Sequence, residues 1–84
     1  MDKAKEIEEK ARSIIANQLK IDGKDITNNS LLVDDLGADS LDILELVVEF
    51  EQELDINIPD EILTDFRTFE NIVNGLKKVL LKSL

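Results

Sequence analysis

Apolar residues recur at helical spacing in three stretches of the chain. Ala4, Ile7, Ala11, Ile14, Ile15 and Leu19 fall on one side of a helix, with Lys3, Glu6, Glu9 and Lys10 mostly elsewhere, which predicts helix one over Ala4 to Leu19. A second helical pattern runs from Ser40 to Leu54 and has ended before Pro59, a residue that a helix interior does not tolerate. Pro59-Asp60-Glu61 puts a proline and two carboxylates where a helix opens, and a short helix is expected over Asp60 to Asp65. Thr68 is placed to cap a last helix whose apolar positions Phe69, Ile72, Val73, Leu76, Val79 and Leu80 share a face. Gly75 interrupts that helix at a propensity cost of about 1 kcal/mol relative to Ala. Three longer helices plus one short helix predict an all-α fold, a small four-helix bundle. No internal repeat or strand-like alternation competes with it.

Between helices one and two, Asp22 to Asp39 contain Gly23, Gly37, the polar run Thr27-Asn28-Asn29-Ser30 and the apolar knot Leu31-Leu32-Val33. This pattern predicts a long ordered loop pinned by its leucines. Asn28-Asn29-Ser30 fits the N-glycosylation acceptor pattern, but nothing at the start of the chain resembles a secretory signal, so a polar turn is the simpler reading.

Helix two has more apolar surface than one buried stripe requires. On a helical wheel with Leu41 at the origin, Ile43, Leu46, Val47, Phe50 and Leu54 lie in an arc of about 140 to 240° and form the core face. Leu41, Leu44 and Val48 occupy a separate arc of about 300 to 360°, flanked by Gln52 and Glu45. Two readings fit this second stripe. It packs on the Leu31-Leu32-Val33 loop, or it is exposed and edged with acids, as on a helix offered to a partner's groove with a basic rim.

Charge sharpens the contrast. The 84 residues carry 19 Asp+Glu against 10 Lys+Arg, a formal charge of −9, with no His, Cys, Trp or Tyr. Residues 25–66 hold 13 carboxylates and no Lys or Arg, so every base lies outside the middle half of the chain. Crowding carboxylates in this way costs self-repulsion and fits a surface that steers basic partners. It argues against nucleic-acid binding, which relies on clustered Lys and Arg. Without His or Cys, Ser-His and Cys-His catalysis and the usual zinc sites cannot be assembled. A chain this short buries only roughly 60% of its unfolded surface, which disfavours a deep catalytic cleft. No apolar run spans a bilayer. The expectation is a single domain over residues 1–84, cytoplasmic and monomeric, with no stable membrane insertion, and not an enzyme.

Asp34-Asp35-Leu36-Gly37-Ala38-Asp39-Ser40-Leu41-Asp42 puts a serine where the loop meets helix two. Either Ser40 or Asp39 suits the N-cap position, where loss of the cap oxygen costs about 0.5 to 2 kcal/mol. A catalytic nucleophile is poorly supported without a G-x-S-x-G context or a histidine. An EF-hand is excluded because no run places oxygen ligands at loop positions one, three and five with Gly at six and Glu at twelve. The position does suit a covalently attached phosphate, since the amides and positive dipole end of a helix start favour an anion by about 0.3 to 1 kcal/mol.

This motif, followed by Glu45-Leu46-Val47 and Ile58-Pro59-Asp60-Glu61, resembles the acyl carrier proteins of type II, or dissociated, fatty acid synthesis, over most of the chain and in the order of helices. The resemblance implies a phosphoprotein in which the hydroxyl of Ser40, between Asp39 and Leu41, receives 4′-phosphopantetheine from coenzyme A. A separate magnesium-dependent phosphopantetheinyl transferase delivers it. The arm's terminal thiol then carries growing acyl chains as thioesters, so the chemistry belongs to the cofactor and the lack of cysteine is no obstacle. By the same resemblance, Asp39, Leu41, Asp42, Leu44, Glu45 and Val48 form the surface that docks basic fatty acid synthesis enzymes. No resident metal is expected, although the resemblance suggests weak magnesium or calcium binding near Asp34, Asp35, Asp39 and Asp42. The alternatives are a carrier of polyketide, peptidyl or D-alanyl intermediates, or a small acidic adaptor in which Ser40 is only a cap.

Overall fold

The structure, a computed structural model, describes residues 3–82; Met1, Asp2, Ser83 and Leu84 lie outside it. Its four helices are α1 (Lys3–Leu19), α2 (Ser40–Leu54), α3 (Asp60–Leu63) and α4 (Phe69–Lys82). α2 matches the expected range. α3 stops two residues short of the expected Asp65, with Thr64 as its C-cap and the Thr64 hydroxyl donating to the Glu61 carbonyl at 2.8 Å. A short polar side chain that competes for backbone carbonyls in this way ends helices readily. α1 and α2 both close through a left-handed residue, Lys20 (φ 58°) and Asp55 (φ 54°), and the following amides of Ile21 and Ile56 donate back to Ala16 and Glu51.

Each long helix turns its predicted stripe inward. Ile7, Ala11 and Ile15 of α1, Leu46 and Phe50 of α2, and Phe69, Ile72, Val73 and Leu76 of α4 are buried together. Ile43, Val47, Leu54 and Leu80 pack at the edge of that cluster. Phe50 meets Phe66 edge to face, with ring centroids 6.5 Å apart. Among the described residues, Ser30 is the only buried polar residue. Its hydroxyl accepts from the Thr27 amide at 2.9 Å, so Asn28-Asn29-Ser30 is the polar turn that its composition suggested.

The long loop is pinned in the core by Leu32, with Leu36 packed beside it, and is held by backbone bonds as well. Of Leu31-Leu32-Val33, only Leu32 is fully buried, and Val33 is 54% exposed. Backbone bonds do the rest: Leu32 N–H donates to Arg67 O at 3.0 Å, and Phe69 N–H to Ser30 O at 3.0 Å, around an isolated antiparallel bridge between Leu31 and Thr68. Nearer α1, a 3₁₀ turn at Gly23–Asp25 forms within what the sequence presented as loop. The Arg12 guanidinium donates to the carbonyls of Gly23 and Ile26 and lies 4.8 Å from the Phe69 ring centroid. One side chain of α1 therefore ties the loop's first half to α4 by hydrogen bonds and a cation–π contact.

Gly75 carries a steric requirement that propensity did not reveal. A Cβ there would sit 2.8 Å from Ile62 Cγ2 and 2.9 Å from Phe66 Cε1, so its absence lets α4 approach the α3 region. Gly75→Ala would gain about 1 kcal/mol of helix propensity but incur overpacking that typically costs about 1 to 3 kcal/mol. The expected net result is a lower urea midpoint, read by far-ultraviolet circular dichroism. A raised midpoint would show that α3 yields freely.

Candidate functional site

The loop ends in a tight turn that delivers the chain to α2. Leu36 N–H donates to Leu31 O at 3.0 Å, Gly37 N–H to Val33 O at 3.1 Å and Ala38 N–H to Leu32 O at 2.8 Å. Gly37 has φ 78°, although a Cβ there would meet nothing within 4 Å. Glycine is favoured by the left-handed backbone, not by crowding. Ala38 is 3% exposed and anchors the turn in the core.

Asp39 follows in an extended conformation and is the N-cap of α2. Its carboxylate accepts from the Asp42 amide at 2.8 Å, while the Asp42 carboxylate accepts from the Asp39 amide at 3.2 Å. This reciprocal pair is a capping box, and it resolves the choice between two cap candidates in favour of Asp39. Ser40 is therefore the first helical residue. It is exposed, and its hydroxyl makes no hydrogen bond among the described residues. The amides of Ser40 and Leu41 likewise have no acceptor there and point the positive end of the helix dipole towards whatever the hydroxyl bears. The other described serines differ. Ser30 is buried and bonded, and Ser13 lies inside α1.

The second stripe of α2 is uncovered. Leu41, Leu44 and Val48 are 62%, 64% and 49% exposed, so the reading in which it packs under the loop fails for all three residues. Glu45 and Asp39 are exposed beside it and Asp42 is half-buried. The four-residue step from Leu44 to Val48 puts both side chains on one line along the helix, with Glu45 beside them. The structure gathers Ser40 at one end of a greasy strip with acids along its edge.

It does not gather a metal site. Among the described residues no group of three or more Asp or Glu side chains could hold an ion. Asp35 is occupied with the Leu31 amide at 2.8 Å, and Asp39 and Asp42 with each other's amides. Gln18 escapes a reading by sequence alone: its side-chain amide donates to the Glu45 carboxylate from α1. No local signal marks a contact between residues 27 positions apart. The Asp39–Asp42 spacing, by contrast, is a legible capping-box pattern.

The family described as "Phosphopantetheine attachment site" matches residues 9–76, which defines the chain as one of the proteins built around that covalent arm. Similar proteins include the acyl carrier protein of Akkermansia muciniphila, 44% identical over 73 residues that cover 87% of this chain and 91% of that protein. The acyl carrier protein of Buchnera aphidicola is 49% identical over 72 residues, 86% of this chain and 92% of that protein. Among solved structures, a Mycobacterium tuberculosis protein described as a candidate acyl carrier protein superposes with a TM-score of 0.77 at 36% identity, covering 83% of this chain and 93% of that one. The apo doublet acyl carrier protein from prodigiosin biosynthesis shares the fold at 20% identity, with a TM-score of 0.77 over 94% of this chain and 38% of that one.

The chain belongs to the acyl carrier proteins. It is a carrier and not a catalyst, its cofactor is 4′-phosphopantetheine, and its family works with a phosphopantetheinyl transferase and with synthesis enzymes. No described helix is long and apolar enough to cross a membrane.

Proposed function

We propose that Ser40 is the attachment residue, and that the protein carries growing fatty acyl chains on the arm and presents them to enzymes of a dissociated fatty acid synthesis system. The observation that carries this reading is the free, exposed Ser40 hydroxyl at the first position of a helix already capped by its neighbour. The chain's own contribution is presentation. Asp39 holds the helix start, Ser40 offers the oxygen, and the uncommitted amides of Ser40 and Leu41 favour the phosphate once it is joined. With no histidine in the chain, no imidazole of its own is there to take the proton that leaves Ser40. The bound arm supplies a terminal thiol on which acyl groups ride as thioesters. We further read residues 1–84 as one acyl-carrier domain that acts as a cytoplasmic monomer.

The test is intact mass of protein incubated with coenzyme A and magnesium, with and without a phosphopantetheinyl transferase. One arm is expected, with fragment ions placing it on Ser40. No gain, or a gain elsewhere, overturns the assignment.

Docking falls to Leu41, Leu44 and Val48 with Asp39, Asp42 and Glu45 around them, and the partners are basic-surfaced enzymes. Glu45→Lys should slow association with transferase and synthase, and added salt should weaken the wild type in the same sense. Leu44→Asp should shorten the lifetime of the complex with little loss of fold, because Leu44 is 64% exposed. Unchanged surface-plasmon-resonance kinetics for both variants would count against this face.

A further inference from the structure

α2 does not meet solvent alone. Along one side of its exposed stripe, a shallow cleft of about 250 Å³ separates it from the end of α1, lined by Gln18, Leu44, Glu45, Val48 and Glu49. Leu44 and Val48 are the apolar part, and Glu45 and Glu49 supply two carboxylates one helical turn apart. Gln18 closes the α1 side and donates its side-chain amide to the Glu45 carboxylate. Among the described residues neither carboxylate has a cationic partner, since the one ion pair found there joins Lys24 to Asp22. A cleft with an aliphatic lining and two uncompensated acids matches one type of side chain, an apolar stem ending in a cation.

We infer that the docking surface extends from α2 across this cleft onto α1, that the cleft receives one arginine or lysine side chain of the phosphopantetheinyl transferase, and that Gln18 is a positioning residue holding Glu45 for it. The inference rests on the reading of α2 as the docking face and goes beyond it in assigning roles to Gln18 and Glu49. Glu45 is exposed, so its carboxylate would otherwise sample several rotamers. A hydrogen bond from a second helix selects one and lowers the ordering cost on binding. The stem of the incoming side chain lies over Leu44 and Val48, and its cation reaches Glu45 and Glu49 together.

Gln18→Glu separates positioning from simple charge. Glutamate has the same shape, cannot donate to Glu45 when ionised and repels it, yet it adds attraction to a basic partner. Steady-state transfer from coenzyme A to the apo carrier is measured for wild type, Gln18→Ala, Gln18→Glu, Glu49→Gln and Glu45→Ala, and for Gln18→Ala combined with Glu45→Ala. Glu45→Ala, Glu49→Gln and both Gln18 variants are each expected to raise KM for the carrier by about two- to fivefold with kcat unchanged, the range of one exposed ion pair. The Gln18→Ala effect should vanish in the Glu45→Ala background, because there is no carboxylate left to hold. A lower KM for Gln18→Glu, or a Gln18→Ala effect that persists without Glu45, overturns the role of Gln18. An unchanged KM for Glu49→Gln removes the cleft as the seat of the cation. If Glu45→Ala itself leaves KM unchanged, the reading of α2 as the docking face fails first.

Discussion

Ser40→Ala is expected to remain apo under conditions that convert the wild type completely, with a urea midpoint that barely moves. The second half of this result depends on the structure. Had Ser40 been the N-cap, its removal would cost about 0.5 to 2 kcal/mol, and loss of modification could be blamed on a frayed helix. Because Asp39 caps α2 through its bond to the Asp42 amide, and Ser40 is exposed without a hydrogen bond, the substitution touches nothing that holds the fold. A shift within about 0.5 kcal/mol of wild type is the expectation for such a site. Asp39→Ala is the complementary variant: it should lose about 0.5 to 2 kcal/mol while keeping the hydroxyl. Intact mass and urea denaturation on the two variants read both effects. An arm on the Ser40→Ala protein would sink the assignment, and a large loss of stability would show that the hydroxyl has a structural task.

Phe50→Ala should have the largest effect on stability and should change how the protein responds to its cargo. Phe50 is fully buried and meets Phe66 edge to face, and truncating such a ring typically costs about 3 to 5 kcal/mol. That is a large fraction of the roughly 5 to 15 kcal/mol that holds a domain together. The surrounding core is aliphatic apart from the phenylalanines, and no described buried side-chain polar atom lacks a partner. Helices can part around an attached aliphatic chain without orphaning a polar group. Each methylene withdrawn from water contributes about 0.8 kcal/mol, offset in the wild type by the dispersion attraction between helices that weakens as the bundle opens. In Phe50→Ala the cavity already exists, so a medium-length acyl chain should restore a larger share of stability than it adds to the wild type. Phe66 and Phe69 would then set the remaining depth. Urea midpoints of the thiol and acyl forms of both proteins test this. Coincident midpoints for the thiol and acyl forms would mean that the chain stays in solvent.

The helices, their inward stripes, the acidic middle of the chain and the serine at the start of α2 were legible in the order of residues, because each is a property of one element or one turn. A 3.6-residue period reports which side of a helix is apolar, and a cap lies within four residues of what it caps. Even so, the wheel of α2, which marks the core face, leaves open whether its second apolar stripe is covered by the loop or exposed. The tertiary structure chose. α1 packs along α2 and Phe66 closes on Phe50, so the Leu46–Phe50 face is buried, while the loop's own apolar group sends only Leu32 fully inward and Leu41, Leu44 and Val48 stay in water. The same holds for Gly75, a propensity penalty in sequence and a contact requirement against Ile62 and Phe66 in space. Arg12, in sequence one more charge on helix one, fastens a distant loop, and Gln18 meets Glu45 across 27 positions. Periodicity describes the faces a segment can offer. Which faces meet is decided by closing the chain, where every pairing competes for the same small interior and is settled by the summed packing of all the helices.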